Sequence, residues 1–126
     1  MLVLDAGGVS RLAERSQGAG SPISAFRRNG PGRRWVPSVV LVECLRGHSG
    51  RDALTKRFLK TCDLADDLPV PLARRAAFLR AQAQRGSAVD AVVVALAEPG
   101  GVVLTSDLAD VAALAAHAHG VAVEQA

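Results

Sequence analysis

Four short apolar runs in this 126-residue sequence each end on, or enclose, a single carboxylate. Asp5 follows Leu2-Val3-Leu4, and Glu43 interrupts Val39-Val40-Leu41-Val42 and Cys44-Leu45. Asp90 is flanked by Val89 and by Ala91-Val92-Val93-Val94, and Asp107 follows Val102-Val103-Leu104-Thr105-Ser106. A carboxylate inside an apolar run is costly unless it is paired or binds a metal. One such residue is a local matter; four in so short a chain point to a shared site. Glu14, Asp52, Asp63, Asp66, Asp67 and Glu98 sit in polar neighbourhoods or near helix ends and read as solvated surface.

The runs alternate with helical segments. Met1–Leu4 reads as a buried strand closed by the turn Asp5-Ala6-Gly7-Gly8. Val9–Ser16 fits a short helix, residues 17–22 a loop, and Ile23–Arg28 a second short helix broken by Asn29-Gly30-Pro31-Gly32. Arg34–Pro37 is a brief strand. Ser38 suits the N-cap of a helix Val39–Arg46, with Gly47 just past its end. Residues 51–61 form a helix with Leu54, Phe58 and Leu59 on one face, and Leu64–Val70 is either strand or extended linker. Pro71 opens a helix Leu72–Arg85 with the stripe Leu72, Ala76, Leu79. Gly86 ends it, and Ser87 caps the apolar helix Ala88–Glu98, stopped by Pro99-Gly100-Gly101. Gly101–Thr105 is a buried strand, Leu108–His119 an Ala-rich helix, and Val121–Glu124 a last strand. Strands alternating with helices predict right-handed crossovers. The expected class is α/β, with a parallel twisted sheet of four or five strands and helices on both faces. The length leaves room for one core, and no repeat or linker divides it, so residues 1–126 are expected to form one domain.

Composition narrows the function classes. At 49% hydrophobic and 21% charged residues the chain can bury enough apolar surface to fold. No apolar run approaches the ~20 residues that span a bilayer. Asp5 follows the first apolar run too soon for a signal peptide, which predicts a cytoplasmic protein. Cys44 and Cys62 lack metal or disulfide spacing, and Cys44 reads as a reduced core residue. His48, His117 and His119 also lack metal spacing and read as surface. Charge is segregated: residues 1–85 hold all 15 basic residues and seven acids, a net +8, and residues 86–126 hold five acids alone. Thirteen of the basic residues are Arg, whose planar fork matches phosphate, although a GC-rich genome also favours Arg.

Asp5 and Asp107 fall at the carboxyl ends of strands, where open parallel sheets place their ligands. Glu43 and Asp90 fall near the starts of apolar helices. Four converging carboxylates without basic partners repel and raise one another's pKa values. A divalent cation removes the conflict, and oxygen ligands without His or Cys favour Mg²⁺ or Mn²⁺ over Zn²⁺. One or two such ions activate water and stabilise in-line attack on a phosphodiester. Asp107 also fits an N-cap of the helix after it. Asp110, one turn on, is either a fifth ligand or a first-turn acid favoured by the helix dipole.

The order and spacing of these segments resemble the PIN domain, and most of all the small VapC-type toxins of bacterial toxin–antitoxin pairs. The segments are Leu2–Ala6, Pro37–Glu43, Asp90–Ala97 and Leu104–Leu114. The resemblance implies a metal-dependent endoribonuclease, with Asp5, Glu43, Asp90 and Asp107 as its Mg²⁺ or Mn²⁺ site. It implies a supporting hydroxyl at Thr105, a frequently acidic position at Asp110, and an RNA substrate. It also implies inhibition by a cognate VapB-like antitoxin, in a homodimer or a toxin–antitoxin hetero-oligomer. One position departs from the pattern: Gly7 stands where a Ser or Thr is common.

Other chemistries fit less well. A phosphoacceptor receiver domain needs a neighbouring acid pair near its first strand and a late Lys, yet the only lysines are Lys56 and Lys60. A haloacid-dehalogenase-type phosphatase needs a second Asp where Gly7 stands. No GK[ST] phosphate loop and no GxSxG is present. The remaining alternative is a non-catalytic RNA- or partner-binding module that keeps the fold. Arg27-Arg28, Arg33-Arg34 and Arg74-Arg75 are its candidate phosphate contacts, and Trp35 is either a stacking residue or a partly buried strand residue. Leu12, Ile23, Phe26, Leu54 and Phe58 either line a groove for an antitoxin helix or complete the core.

Overall fold

Eleven α-helical and strand segments are laid down in alternation along the described residues of the computed structural model, 1–16 and 33–126. They are β1 (Leu2–Leu4), α1 (Ala6–Arg15), β2 (Arg34–Pro37), α2 (Leu41–Cys44), α3 (Ser49–Leu59), β3 (Asp63–Ala65), α4 (Val70–Ala83), α5 (Ala88–Ala97), β4 (Val102–Thr105), α6 (Leu108–Ala115) and β5 (Ala122–Gln125). The loop 17–22, the short helix Ile23–Arg28 and the break at 29–32 lie outside the described residues, and with them Ile23, Phe26 and Arg27-Arg28.

The strands pair in the order β3-β2-β1-β4-β5, all parallel. Leu2 is in register with Arg34 on one side and with Val102 on the other. The strand order reverses at β1: β2 and β3 extend one way, β4 and β5 the other. The crevice beyond the carboxyl ends of β1 and β4 is therefore the switch point of the sheet. Right-handed crossovers then put α1, α2 and α3 on one face and α4, α5 and α6 on the other. Contacts agree, since α1 packs on α2 and α3 while α4, α5 and α6 pack on one another. Val3, Leu4, Val36 and Val103 from the strands, Val9 and Leu12 from α1, Val93 and Val94 from α5, and Leu114 from α6 fill the core. The nearly uniform apolarity of α5 follows from its place, over β1, β2 and β4 and beneath α4 and α6.

Several boundaries differ from the sequence expectation. α1 begins at Ala6 rather than Val9, because the Asp5 side chain caps it and draws Gly7 and Gly8 into the first turn. Ser38 makes no capping bond: a 3₁₀ turn, Ser38–Val40, follows Pro37, and α2 lasts a single turn. α6 stops at Ala115, four residues before the expected end, with an αR cap at Ala116. Asp63–Ala65 is a strand on β2, which decides between strand and linker in favour of strand for the start of that segment. Leu12 and Phe58 are core residues and Leu54 packs against them, so these three complete the core. Trp35 is a half-buried strand residue. Cys44 is buried with a free thiol, and all three histidines are exposed.

Two acids expected at the solvated surface are engaged. Asp52 is buried, and its carboxylate accepts from the backbone N–H of Arg46 (3.0 and 3.1 Å) and of Gly47 (2.9 Å). Those bonds hold it below the usual carboxylate range. Glu98 accepts two bonds from Arg75, each 2.8 Å, and a third from the His119 N–H at 2.8 Å. It ties α4 to the loops that lead into β4 and β5. The Arg75 contact holds the Glu98 carboxyl below its ordinary value of 4.5. A lowered carboxyl stabilises the fold above the unfolded value and loses that contribution as pH falls through the folded one. Glu98→Gln is expected to cost about 1.5–3 kcal/mol near neutral pH, the range for hydrogen bonds to a charged group. In thermal melts the gap from the wild type should narrow as pH drops below 4.5. A gap that does not change with pH would remove the charge from this account.

Candidate metal centre

The carboxyl ends of β1 and β4 are stitched together by side chains from both. Asp5, 4% exposed, takes the Gly8 N–H on Oδ1 at 2.7 Å and the Thr105 hydroxyl on Oδ2. The same Thr105 Oγ1 accepts the Asp107 N–H at 2.9 Å. The fully buried Thr105 thereby fixes the entry to α6 against the entry to α1.

Glycine makes that approach feasible. A Cβ at Gly8 would overlap the Leu104 carbonyl oxygen and lie 3.2 Å from its carbon. A Cβ at Gly7 would meet the Ser106 Cβ at 2.7 Å and overlap the Ser106 hydroxyl. The first turn of α1 thus presses directly on β4 and its loop. The departure noted at Gly7 has a steric counterpart, because Ser106 fills the space that a side chain at position 7 would take.

Asp90 and Asp107 serve as caps. Asp90 accepts the Ser87 N–H on Oδ2 at 3.1 Å while Ser87 Oγ accepts the Asp90 N–H at 3.0 Å, a capping box at the start of α5. Asp107 caps α6, its Oδ1 accepting from the Asp110 N–H at 3.4 Å. Capping occupies one oxygen of each, and the other makes no hydrogen bond among the described residues. One carboxylate oxygen from each of Asp90, Asp107 and Asp110 lies within 4.8 Å of the other two. Asp110 also forms an ion pair with Arg85, Nε to Oδ1 at 2.7 Å.

Asp5 and Glu43 stand outside that triad but feel it. Burial raises the Asp5 carboxyl above its ordinary value, the bonds from Thr105 and Gly8 oppose this, and Asp90 and Asp107 add to the rise. Glu43, on the exposed turn α2, is raised by local desolvation and then by Asp90 and Asp5. Asp5, at the end of β1, thus feels Asp90 of α5 and Asp107 of the β4–α6 loop, and Glu43 of α2 feels Asp90 and Asp5, all around the switch point. Among the described residues no ion pair reaches Asp5, Glu43, Asp90 or Asp107. The donors are carboxylates with a hydroxyl beside them, a set that fits a hard divalent cation. Asp110 has both expected properties, closeness to the triad and a place in the first turn of α6. Arg85, Gly8 and Ser106 were missed from sequence. The Gly-Gly doublet directly after Asp5 was the available signal for Gly8; Arg85 and Ser106 had none.

No protein-family model and no curated protein matches the sequence. Among solved structures the chain is similar to FitAcB from Neisseria gonorrhoeae, at 19% identity and a TM-score of 0.62, over 98% of this chain and 96% of that one. It is similar also to FitAB bound to the IR36 DNA fragment, at 17% identity and a TM-score of 0.60, over 99% and 94%. At such identities the likeness is one of fold. The α/β architecture, a five-stranded parallel sheet flanked by helices, is a PIN-like fold.

Proposed function

We propose that this protein is a metal-dependent ribonuclease toxin that hydrolyses internal phosphodiester bonds of RNA. The observation that carries the reading is the gathering of Asp5, Glu43, Asp90 and Asp107 from four separate segments around the switch point, with no cation paired to any of them among the described residues. Like charges brought together weaken a fold unless something binds there. Asp5, Glu43, Asp90 and Asp107 are the residues that would hold Mg²⁺ or Mn²⁺, with Asp110, whose carboxylate lies within 4.8 Å of those of Asp90 and Asp107, as a fifth ligand and Thr105 fixing Asp5. A bound divalent ion would activate water and stabilise the in-line displacement. Glu43, raised and open to solvent, would supply a general base there. The VapC-like order of the four motifs and the fold shared with the FitAB structures support a toxin held by a VapB-like antitoxin. Homodimer or toxin–antitoxin hetero-oligomer is the assembly we propose, acting in the cytoplasm. No helix among the described residues is long and apolar enough to cross a membrane.

Incubation of the protein with RNA is expected to give cleavage with added Mg²⁺ or Mn²⁺ and none in EDTA. Tight RNA binding without cleavage under either condition would favour the non-catalytic binding module. A second readout needs no substrate. Asp5 must release its proton to bind metal, and its carboxyl is raised above 3.8. Its unmatched charge weakens the fold increasingly as pH rises through that raised value, and a cation relieves the strain. The Mn²⁺-induced rise in melting temperature is therefore expected to grow with pH across that range and then level off. A shift that is flat with pH, and equal in Asp5→Asn, would place the ion elsewhere.

A further inference from the structure

A shallow pocket of about 420 Å³ opens beside the acidic group, lined by Ala77, Arg80, Ala81, Gln84, Arg85 and Gly86. It forms where α4 ends. Gln84 is left-handed at φ 54° and Gly86 at φ 91°, so the chain turns back and brings Arg85 round toward Arg80. Arg80 Nε donates to the Gly86 carbonyl at 3.2 Å, and Arg85 Nε donates to Asp110 Oδ1 at 2.7 Å. Each guanidinium is held by one edge, and the terminal nitrogens of both make no hydrogen bond among the described residues. Ala77 and Ala81, one turn apart, supply walls too small to fill the space between them. The pocket is joined to the carboxylates twice: Arg85 grips Asp110, and Ser87, next to Gly86, forms the capping box with Asp90.

We propose that this pocket binds a backbone phosphate of single-stranded RNA, one flanking the phosphate that is cut. The inference rests on the ribonuclease reading and deepens it by naming how the substrate is held. A polyanion approaching a cluster of carboxylates is repelled unless cations meet it on the way. Arg80 and Arg85 are two such cations, and a planar fork anchored at one edge presents its other edge to phosphate. Arg85 serves both sides of the junction, since it offsets the charge of Asp110 and faces the pocket.

The test is fluorescence anisotropy of a labelled single-stranded RNA in EDTA, where hydrolysis is not supported, across a salt series. Arg80→Ala and Arg85→Ala are each expected to weaken binding about 10-fold, and the double variant to make the slope of log affinity against log salt shallower by about 0.7, the share of one phosphate on a single strand. Arg80→Lys and Arg85→Lys should recover part of the loss, keeping charge without the fork. Lys60→Ala, just before β3 at the amino ends of the strands, should leave binding unchanged. A single-stranded DNA of the same sequence should lose affinity in parallel, because phosphate rather than the 2′-hydroxyl is held. Unchanged RNA affinity and slope in the double variant would overturn the proposal, whether or not RNA is cleaved. Loss of polyglutamate binding with RNA binding intact would overturn it too, in favour of an acidic peptide. Loss of RNA affinity in the double variant, with a wild type that never cleaves, would uphold the pocket and sink only the nuclease reading.

Discussion

Asp90→Asn is expected to fold as the wild type does and to lose metal-dependent RNA cleavage by more than about 100-fold, the upper range for disturbing a metal ligand's surroundings. The expectation separates two roles of one carboxylate. As a cap, Asp90 needs a side-chain oxygen to accept the Ser87 N–H and a backbone N–H for Ser87 Oγ. Asparagine keeps both bonds of the capping box and loses only the first-turn charge, so helix α5 should lose about 0.3–1 kcal/mol. As part of the cluster, Asp90 supplies negative charge that acts on Asp5 and Glu43. Asparagine removes that charge. The Asp5 and Glu43 carboxyls should drop toward their ordinary values, and the Mn²⁺-induced thermal shift should shrink or vanish. Cleavage, melting temperature and the Mn²⁺ shift measured on one preparation decide the matter. Wild-type cleavage by the variant would rule out the proposed centre; a cleavage loss accompanied by a collapse in stability would make Asp90 a cap and nothing more.

Gly8→Ala is expected to destabilise the protein, although it adds a single methyl group to a helix. In an exposed helix interior the change gains about 1 kcal/mol, because Ala is the better helix former. Here the new methyl would overlap the Leu104 carbonyl oxygen and crowd Asp5 Oδ1 at 3.4 Å. Neither neighbour can move freely: Leu104 lies in β4 in register with Leu4, and Asp5 is pinned by Gly8 and Thr105. Overpacking of this kind costs about 1–3 kcal/mol or more. Relief requires α1 to draw back from β4, which parts Asp5 from Thr105 and Asp107. The metal affinity of the variant should therefore fall along with its melting temperature. Gly7→Ala meets the Ser106 Cβ at 2.7 Å and its backbone N at 3.0 Å, which no change of rotamer moves, so it too should destabilise the protein unless the loop after β4 shifts. A Gly8→Ala protein as stable as the wild type would show that α1 is free to shift.

Much of the fold was legible because it is locally encoded. Val102–Thr105 is apolar and bounded by glycines and a polar loop, and it is a strand. Ser87 caps α5 as its sequence position led one to expect, and Asp90 turns that cap into a capping box. The alternation of strands and helices gave the parallel sheet. Errors fell where a side chain competes for the same backbone. Asp5 captured the first turn of α1 and turned an expected loop into helix, and Pro37 imposed a 3₁₀ turn that left Ser38 without a cap. Asp52 and Glu98 looked like surface because their partners are backbone N–H groups and an Arg 23 residues away.

The sequence by itself determined which residues are out of place. A carboxylate against an apolar run is anomalous whatever the chain does next, so Asp5, Glu43, Asp90 and Asp107 stand out without coordinates. Only the tertiary structure decided that they meet. Asp5 and Thr105, 100 residues apart, touch because β1 and β4 are neighbours at the point where strand order reverses, and strand order is a property of whole-chain packing. The same packing decided that Gly8 lies against Leu104 and that Arg85 reaches Asp110. It thereby brought part of the basic excess of the first 85 residues to the edge of the acids that follow. Apolar runs, turns and caps are written in neighbouring residues; proximity across the sheet depends on every connection made at once.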